Sequence, residues 1–334
     1  MASPSSSLAT LRPDLARSLM QFDLAMDQAG FIGQKLLPPM PVYEAGGNYG
    51  IIPLEQLLRN PETRRQADGS YNRDNFTFET ARFVTQEHGL EGRVDDNTGA
   101  TYANYLDQEM VTTMRTFDGV LRAQEIRCAN VFSTANFAHG APAGTAAWTD
   151  HADSTPIDDV MAAMIAVWQA SGLWPDSMAI TKQLFLHLRR NAQIIEQVKY
   201  SGLVDTKTKD ITADVLAECL GLDQLVVASS SQNTANPAQT RSISTIWPDS
   251  QAIVYRSPKG DTMDPATPCV GRTFFWDESA EAYPEGTTSG GGDSFPVVEV
   301  YRSEERRSDI VRVRHQTQET TYYPAAAYII TGVF

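Results

Sequence analysis

The chain is short of the residues from which most catalytic and metal centres are built. It has three cysteines, Cys128, Cys219 and Cys269, far apart and never in CxxC spacing, so neither a disulfide framework nor a zinc ribbon is specified. Its five histidines, His88, His139, His151, His187 and His315, form no HxxxH or HExxH pair, which leaves a helix-borne metal site without ligands. There is no GxSxG nucleophile elbow. The glycine-rich SGGGDS at 289–294 leads into Phe295, Pro296 and a strand-like VVEVY, where a phosphate loop requires a helix start. The acidic pairs Asp95–Asp96 and Glu304–Glu305 could meet a cation but lack the ligand spacing of a calcium loop. No cofactor is expected. No apolar run is long enough to cross a bilayer, and residues 1–7 lack the basic start and apolar core of a secretion signal, so synthesis in a reducing cytoplasm is expected. Basic charge is scarce too: 27 Lys and Arg stand against 41 Asp and Glu, a formal net charge of -14. That balance argues against a protein whose main task is gripping phosphates. The basic pairs Arg64–Arg65, Arg189–Arg190 and Arg306–Arg307 are each isolated from longer basic runs and from stacking aromatics.

What the chain does have is 42% hydrophobic residues over 334 positions, enough for a substantial core and for two ordinary domains. The densest packed region runs from Thr155 to Ser229. Pro156 opens a helix, Asp158 and Asp159 occupy its positive end, and Val160, Met161, Met164, Ile165, Val167 and Trp168 recur at helical spacing, predicting one broad buried face. Gly172 and Pro175 end it. A short strand is expected from Ser177 to Thr181. A helix carrying Leu184, Phe185, Leu188 and Ile194 or Ile195 follows, then a third helix from Thr212 to Leu220, Gly221, and a buried strand at Leu225–Ala228.

This order, with Gly-x-x-Pro after the first helix, the paired Arg189 and Arg190 and the Val-Val strand, resembles the axial domain of major capsid proteins from tailed double-stranded DNA bacteriophages. Ile246, Trp247 and Ala252–Tyr255 look like the strand that completes it. The resemblance implies an α+β chain with residues 1–46 as an N-terminal arm and 47–99 as an extended β loop. Residues 100–150 then begin a peripheral domain with a long spine helix, 151–272 form the axial domain, and 273–334 return to the β-rich peripheral domain.

The spine helix is also legible without the family. From Thr101 to Thr134 there is no proline, and Leu106, Met110, Phe117, Leu121, Cys128 and Val131 keep to steps of three, four or seven, with nothing apolar filling the step between Leu121 and Cys128. A rod of about 50 Å is predicted, with Gly119 as a candidate bend. The loop segment NPETRRQADGSYNRD is polar and turn-rich, whereas Phe76, Phe78 and Phe83 mark a strand with one packed face. A two-stranded arm is marginal alone in water and needs a support, either its own domain or a neighbouring subunit. VVEVYRS and DIVRVRHQTQET read as strands joined by the charged turn Glu304, Glu305, Arg306, Arg307, and the apolar YYPAAAYIITGVF is expected to close the peripheral domain as a strand.

The resemblance implies a structural protein, not an enzyme. Copies would join as pentamers and hexamers into an icosahedral shell around DNA that they touch only weakly, with a scaffolding protein, a portal and a cement or decoration protein as partners and no membrane. The candidate interface residues are Arg59, Arg64, Arg65, Arg73, Phe76, Phe78, Arg189, Arg190, Glu304, Glu305, Arg306 and Arg307. Some shells of this kind are welded by an isopeptide bond from a loop lysine; here no lysine lies between Lys35 and Lys182, so that bond is not expected. Two other readings stay open: an encapsulin-type compartment, and an α/β hydrolase or nucleotide-binding enzyme whose catalytic residues are dispersed in sequence.

Overall fold

The computed structural model describes residues 10–11, 30–42, 44–65, 69–73, 75, 77, 79–97, 107–142, 146–201, 211–236, 238–258, 268–276 and 296–334. Phe76, Phe78, Leu106 and the SGGGDS segment lie outside them. In chain order the first elements are β1 (Thr10–Leu11), α1 (Gly33–Leu36), β2 (Pro39–Val42), β3 (Gly46–Ile51), α2 (Leu54–Leu57), β4 (Glu79–Val84), β5 (Gln86–Asp95) and α3 (Gln108–Val131). Next come β6 (Ala138–Gly140), α4 (Pro156–Ser171), β7 (Ser177–Thr181), α5 (Lys182–Leu188), α6 (Ala192–Ser201), α7 (Ala213–Leu220) and β8 (Gln224–Ala228). The strands β9 (Ser231–Asn233), β10 (Ile243–Thr245), β11 (Gln251–Tyr255), β12 (Gly271–Trp276), β13 (Val297–Ser303), β14 (Ser308–Thr321) and β15 (Ala327–Thr331) complete it.

Two sheets organise the chain. In the five-stranded sheet, ordered β6-β15-β11-β7-β8, strict alternation sends side chains to two cores. Met178, Ile180, Leu225, Ala252, Val254 and Ile330 face the helices α4 to α7, with Trp148, Val160, Leu184, Leu188, Ile194 and Leu216. Ala179, Val226, Ile253, Tyr255 and Ile329 face the other way, onto Leu36, Leu37, Cys128, Phe132 and Trp247. A sheet buried on both faces needs the continuous apolar strands SMAIT, QLVVA and QAIVY that the sequence supplies. The six-stranded sheet runs β1-β13-β14-β12-β2, with β5 also paired to the fourteen-residue β14. Its apolar face, Val298, Val311 and Val313, packs on Phe117, Val120 and Leu121 of α3.

Local signals explain the helix ends. Thr181, Thr212 and Asp107 accept the capping N–H bonds of α5, α7 and α3, and Gly172 and Gly221 close α4 and α7 at φ 70° in the left-handed region. Helix α3 spans 24 residues, about 36 Å, shorter than the rod expected because the extended Asp107 caps its start and Phe132 leaves the helical conformation at its end. It sits tight against β5. A Cβ on Gly92 would fall 2.6 Å from Thr116 Oγ1 and closer still to Thr112, and one on Gly119 would meet Leu90 at 3.0 Å. Gly92→Val is therefore expected to destabilise the fold by about 1–3 kcal/mol through overpacking, read as a lowered urea midpoint. An unchanged midpoint would mean the helix can lift from the strand freely.

Three expectations are corrected. The single helix through Leu184 and Ile195 is two, α5 and α6, broken at Arg189–Asn191 because Asn191 Oδ1 accepts the N–H groups of Gln193 (2.9 Å) and Ile194 (3.4 Å) and starts a new helix. The last strand, β15, lies between β6 and β11 in the five-stranded sheet instead of beside β13 and β14. On α4, Val160 and Val167 are buried, with Met164 partly buried against the same core, but Met161, Ile165 and Trp168 of the predicted face are exposed.

Candidate assembly surface

The loop between β3 and β4 has a rooted base and an unsupported outer part. At the base, Phe83 stacks on Phe274 at 4.5 Å, and Tyr49 lies 5.1 Å from both Phe274 and Tyr322. The Val84 N–H donates to Gln318 Oε1 at 2.6 Å and the Tyr323 hydroxyl to the Ile52 carbonyl at 2.8 Å. The hairpin root thus rests on its own sheet. Farther out, every described residue from Leu58 to Glu79 except Gly69 is exposed. Leu58 lies against Gly172 at the end of α4, and the hydrogen bonds seen farther along join residues of the segment itself. Glu62 accepts from the Arg64 N–H (3.0 Å) and Asn72 (2.9 Å to its carbonyl), and Arg65 donates to the Gly69 carbonyl (2.8 Å) with its guanidinium 5.0 Å from the Tyr71 ring centre. Arg59 and Arg73 are exposed on the same segment. Among the described residues from 59 to 79 no apolar side chain is buried, so no hydrophobic core there holds the segment's course.

The turn Glu304–Arg307 is exposed as expected, but its charges are not the centre of the ion-pair network. That role belongs to Arg302, which binds Asp96 through two 2.6 Å bonds and reaches Asp309 at 3.3 Å and Glu304 at 3.5 Å. Hydrogen bonding to Arg302 holds the Asp96 carboxyl below its ordinary pKa. Asp95 pairs with Arg93 at 2.6 Å, so guanidinium groups already match the acidic pair that could have met a cation. Arg306 and Arg307 are tied mainly through backbone: their carbonyls accept from Arg93 (3.1 Å) and the Asp96 N–H (3.3 Å). Register extends the pattern inward. Glu91, Arg312 and Glu299 lie opposite one another across β5, β14 and β13, with Arg312 2.8 Å from Glu91 and Arg314 2.8 Å from Glu299.

Arg189 and Arg190 sit on the turn between α5 and α6. Arg189 stacks its guanidinium 5.6 Å from the Phe185 ring centre, and Arg190 is exposed. Beside them His151 Nε2 lies 3.1 Å from His187 Nδ1, and burial, then His151 and Arg190, lower the His187 pKa. Loop, hairpin tip and helix turn belong to different elements, and the hydrogen bonds and ion pairs described for them join none of the three to another. Among the described residues no group of three or more His, Cys, Asp or Glu side chains could hold a metal, and no helix is long and apolar enough to cross a membrane.

Two buried polar centres on α3 escaped the sequence analysis. Glu125 fills the unfilled step between Leu121 and Cys128; its carboxylate accepts from the N–H groups of Ile32 and Gly33 (both 2.8 Å) and from Trp247 Nε1 (2.6 Å). Burial pushes its pKa up while the three donors pull it down. One turn-face away, Arg127 bonds Glu319 at 3.2 Å, Thr317 at 3.0 Å and His315 Nε2 at 3.2 Å. These centres tie the long helix to the segment 30–37, to Trp247 and to β14.

No protein-family model matches the chain. In sequence it is 26% identical over 260 residues to the major capsid protein of Pseudomonas phage JBD67, covering 76% of this chain and 80% of that protein. It is also 26% identical over 217 residues to the major capsid protein of Burkholderia phage BcepMu, 63% of this chain and 67% of that one. Among solved structures, a phage-related protein from Bordetella bronchiseptica superposes with a TM-score of 0.67 at 21% identity, over 97% of this chain and 98% of that one. The virus-like particle of Pyrococcus furiosus gives 0.56 at 12% identity over 95% and 98%, and the SrpI encapsulin of Synechococcus elongatus 0.51 at 13% over 99% and 92%. The chain therefore has the mixed α+β fold shared by phage capsid proteins and encapsulins, and its sequence is similar to two phage major capsid proteins.

Proposed function

We propose that the chain is the major structural protein of a closed shell, built from pentamers and hexamers, that encloses double-stranded DNA in a phage head. The observation that carries this reading is the sequence similarity to a phage major capsid protein over 80% of that protein's length. The exposure of all described residues from Leu58 to Glu79 except Gly69 supports it, because a segment with so little buried surface gains support by lying on a neighbouring copy. The unit around the five-stranded sheet forms the rings, residues 1–46 reach across to another copy, and the candidate residues Arg59, Arg64, Arg65, Arg73, Phe76, Phe78, Arg189, Arg190 and Glu304–Arg307 lie at contacts between copies. Many weak contacts act together once symmetry closes the shell. A scaffolding protein, a portal and a cement protein complete the assembly, and the net charge of -14 keeps DNA contact weak.

Negative-stain electron microscopy of the purified chain over a concentration and salt series tests the reading. Closed shells or rings of five or six are expected; a monodisperse monomer that persists with a scaffold supplied overturns it. The encapsulin-type alternative, favoured by the fold shared with SrpI, predicts a copurifying cargo protein in place of nucleic acid. Denaturing electrophoresis of mature particles should show this chain as a monomer band without a covalent ladder joined through residues 47–99, since residues 36–181 contain no lysine. A covalent ladder with an isopeptide mapped to 47–99 would contradict this.

A further inference from the structure

Helix α4 leaves one side open to solvent. Met161, Ile165 and Trp168 follow at steps of four and three and so share one stripe. They are 51%, 39% and 44% exposed, and Trp174, 51% exposed, stacks on Trp168 at 5.5 Å with 18° between the ring planes. The helix already has its inner face, since Val160 and Ala163 belong to the core against the five-stranded sheet and Val167 is buried as well. Leu58, at the root of the exposed loop segment, is exposed as well and lies directly against Gly172 at the end of α4, so the stripe runs on to the loop.

We infer that a second copy of this chain covers the face formed by Met161, Ile165, Trp168 and Trp174, with the two tryptophans as anchors. The inference rests on the shell reading and names a surface that the shell uses. Charge decides the occupant. From Val160 to Pro175 there is no charged residue, in a chain where 20% of residues are charged and the net charge is -14. Copies of so acidic a chain repel wherever carboxylates face each other and approach at least cost where there are none. Along 160–175 a basic partner would find no carboxylate, and Arg256, at the edge beside Trp174, is already taken up by the Trp174 carbonyl (2.9 Å) and Asp176 (3.4 Å), so it offers little to a nucleic acid or an anionic membrane. Paired tryptophans with an aliphatic surround also have the composition of a desolvated contact centre. A copy seated on α4 touches the root of the neighbouring loop too, so one contact both joins the copies and gives the unsupported segment a fixed point of departure.

Hydroxyl-radical footprinting of wild-type particles, against the same chain dissociated, reads the proposal. Modification of Trp168 and Trp174 is expected to slow by at least about tenfold on assembly, as for residues taken out of water at a contact centre. Ile165→Glu and Trp168→Glu should raise the concentration needed for assembly by at least about a hundredfold, because each buries an unpaired carboxylate, while the melting temperature of the dissociated chain stays unchanged. Particles in which both tryptophans remain as reactive as in the dissociated chain overturn this inference and leave the shell reading intact. So would protection that appears only with a lipid vesicle or a different protein. Absence of any particle, scaffold included, overturns both. If the glutamate variants fail to fold, the footprint of the unaltered chain still decides.

Discussion

Glu125→Ala is expected to lower the stability of the folded chain by about 3–5 kcal/mol, since it strands up to three buried donors at about 1–3 kcal/mol each, partly relieved by relaxation. The donors are the N–H groups of Ile32 and Gly33 and the indole of Trp247, which come from segments 92 to 122 residues away from Glu125. That loss is a large fraction of the net stability of a typical domain. Glu125→Gln keeps the size and one acceptor oxygen but turns an amide NH2 toward a donor, so it should fall between wild type and alanine. Urea unfolding monitored by tryptophan fluorescence measures both variants. A loss below about 1 kcal/mol for alanine would show that water or a shifted backbone replaces the carboxylate at little cost.

The second large effect is on acid stability and centres on His315. Its ring is buried at 2% exposure, with Arg127 3.2 Å from Nε2, the His88 ring 5.9 Å away edge-on, and Arg127 itself bound to Glu319 and Thr317. Burial first, then the charges of Arg127 and His88, push its pKa down from 6.5 to about 3. The folded chain therefore holds His315 neutral where the unfolded chain binds a proton. The stabilisation is complete above pH 6.5 and is lost as pH falls toward 3, up to about 5 kcal/mol over the window. Between pH 7 and 4.5 the share is about 3 kcal/mol. Carboxylates titrate in part of the same range, so the measurement is a difference: His315→Gln should lose about 3 kcal/mol less than wild type on going from pH 7 to 4.5. Equal pH slopes for the two proteins would refute the assignment.

Elements whose cause is local were legible in the sequence. The start and stop of α4 followed from Pro156, Asp158, Asp159 and Gly172, and β7, α7, β8 and the β13–β14 hairpin from their periods and flanking residues. The break between α5 and α6 was written in Asn191, a strong helix starter, but the apolar spacing of Leu188 and Ile194 reads across it. Pairing over long separations was not legible: nothing near Ala327–Thr331 states that its neighbours are Gln251–Tyr255 and Ala138–Gly140. Of the surface, the densest charges drew attention to Glu304–Arg307, whereas strand register sets the network on Arg302, opposite Asp309. The gap between Leu121 and Cys128 was the visible sign of Glu125, since a polar residue in the middle of an apolar stripe must be either outside it or fully bonded within it. On α4 periodicity identified an apolar surface without stating whether its cover is the same chain or another.

Strand β15 has a consequence for the order in which the molecule can be made. It is an inner strand, between β6 and β11, yet more than seventy residues follow Tyr255 before it is reached, and those residues build β12, β13 and β14 of the other sheet. At about 5–20 residues per second a ribosome needs several seconds to cover that stretch, during which β11 and β6 each show an unfilled edge and Ile329 and Ile330 are missing from the two cores. The unit around the five-stranded sheet is thus locked only after the six-stranded sheet has been translated. A nascent chain cannot present a finished surface to its neighbours early, and chains cut before residue 327 should be soluble only with help from chaperones.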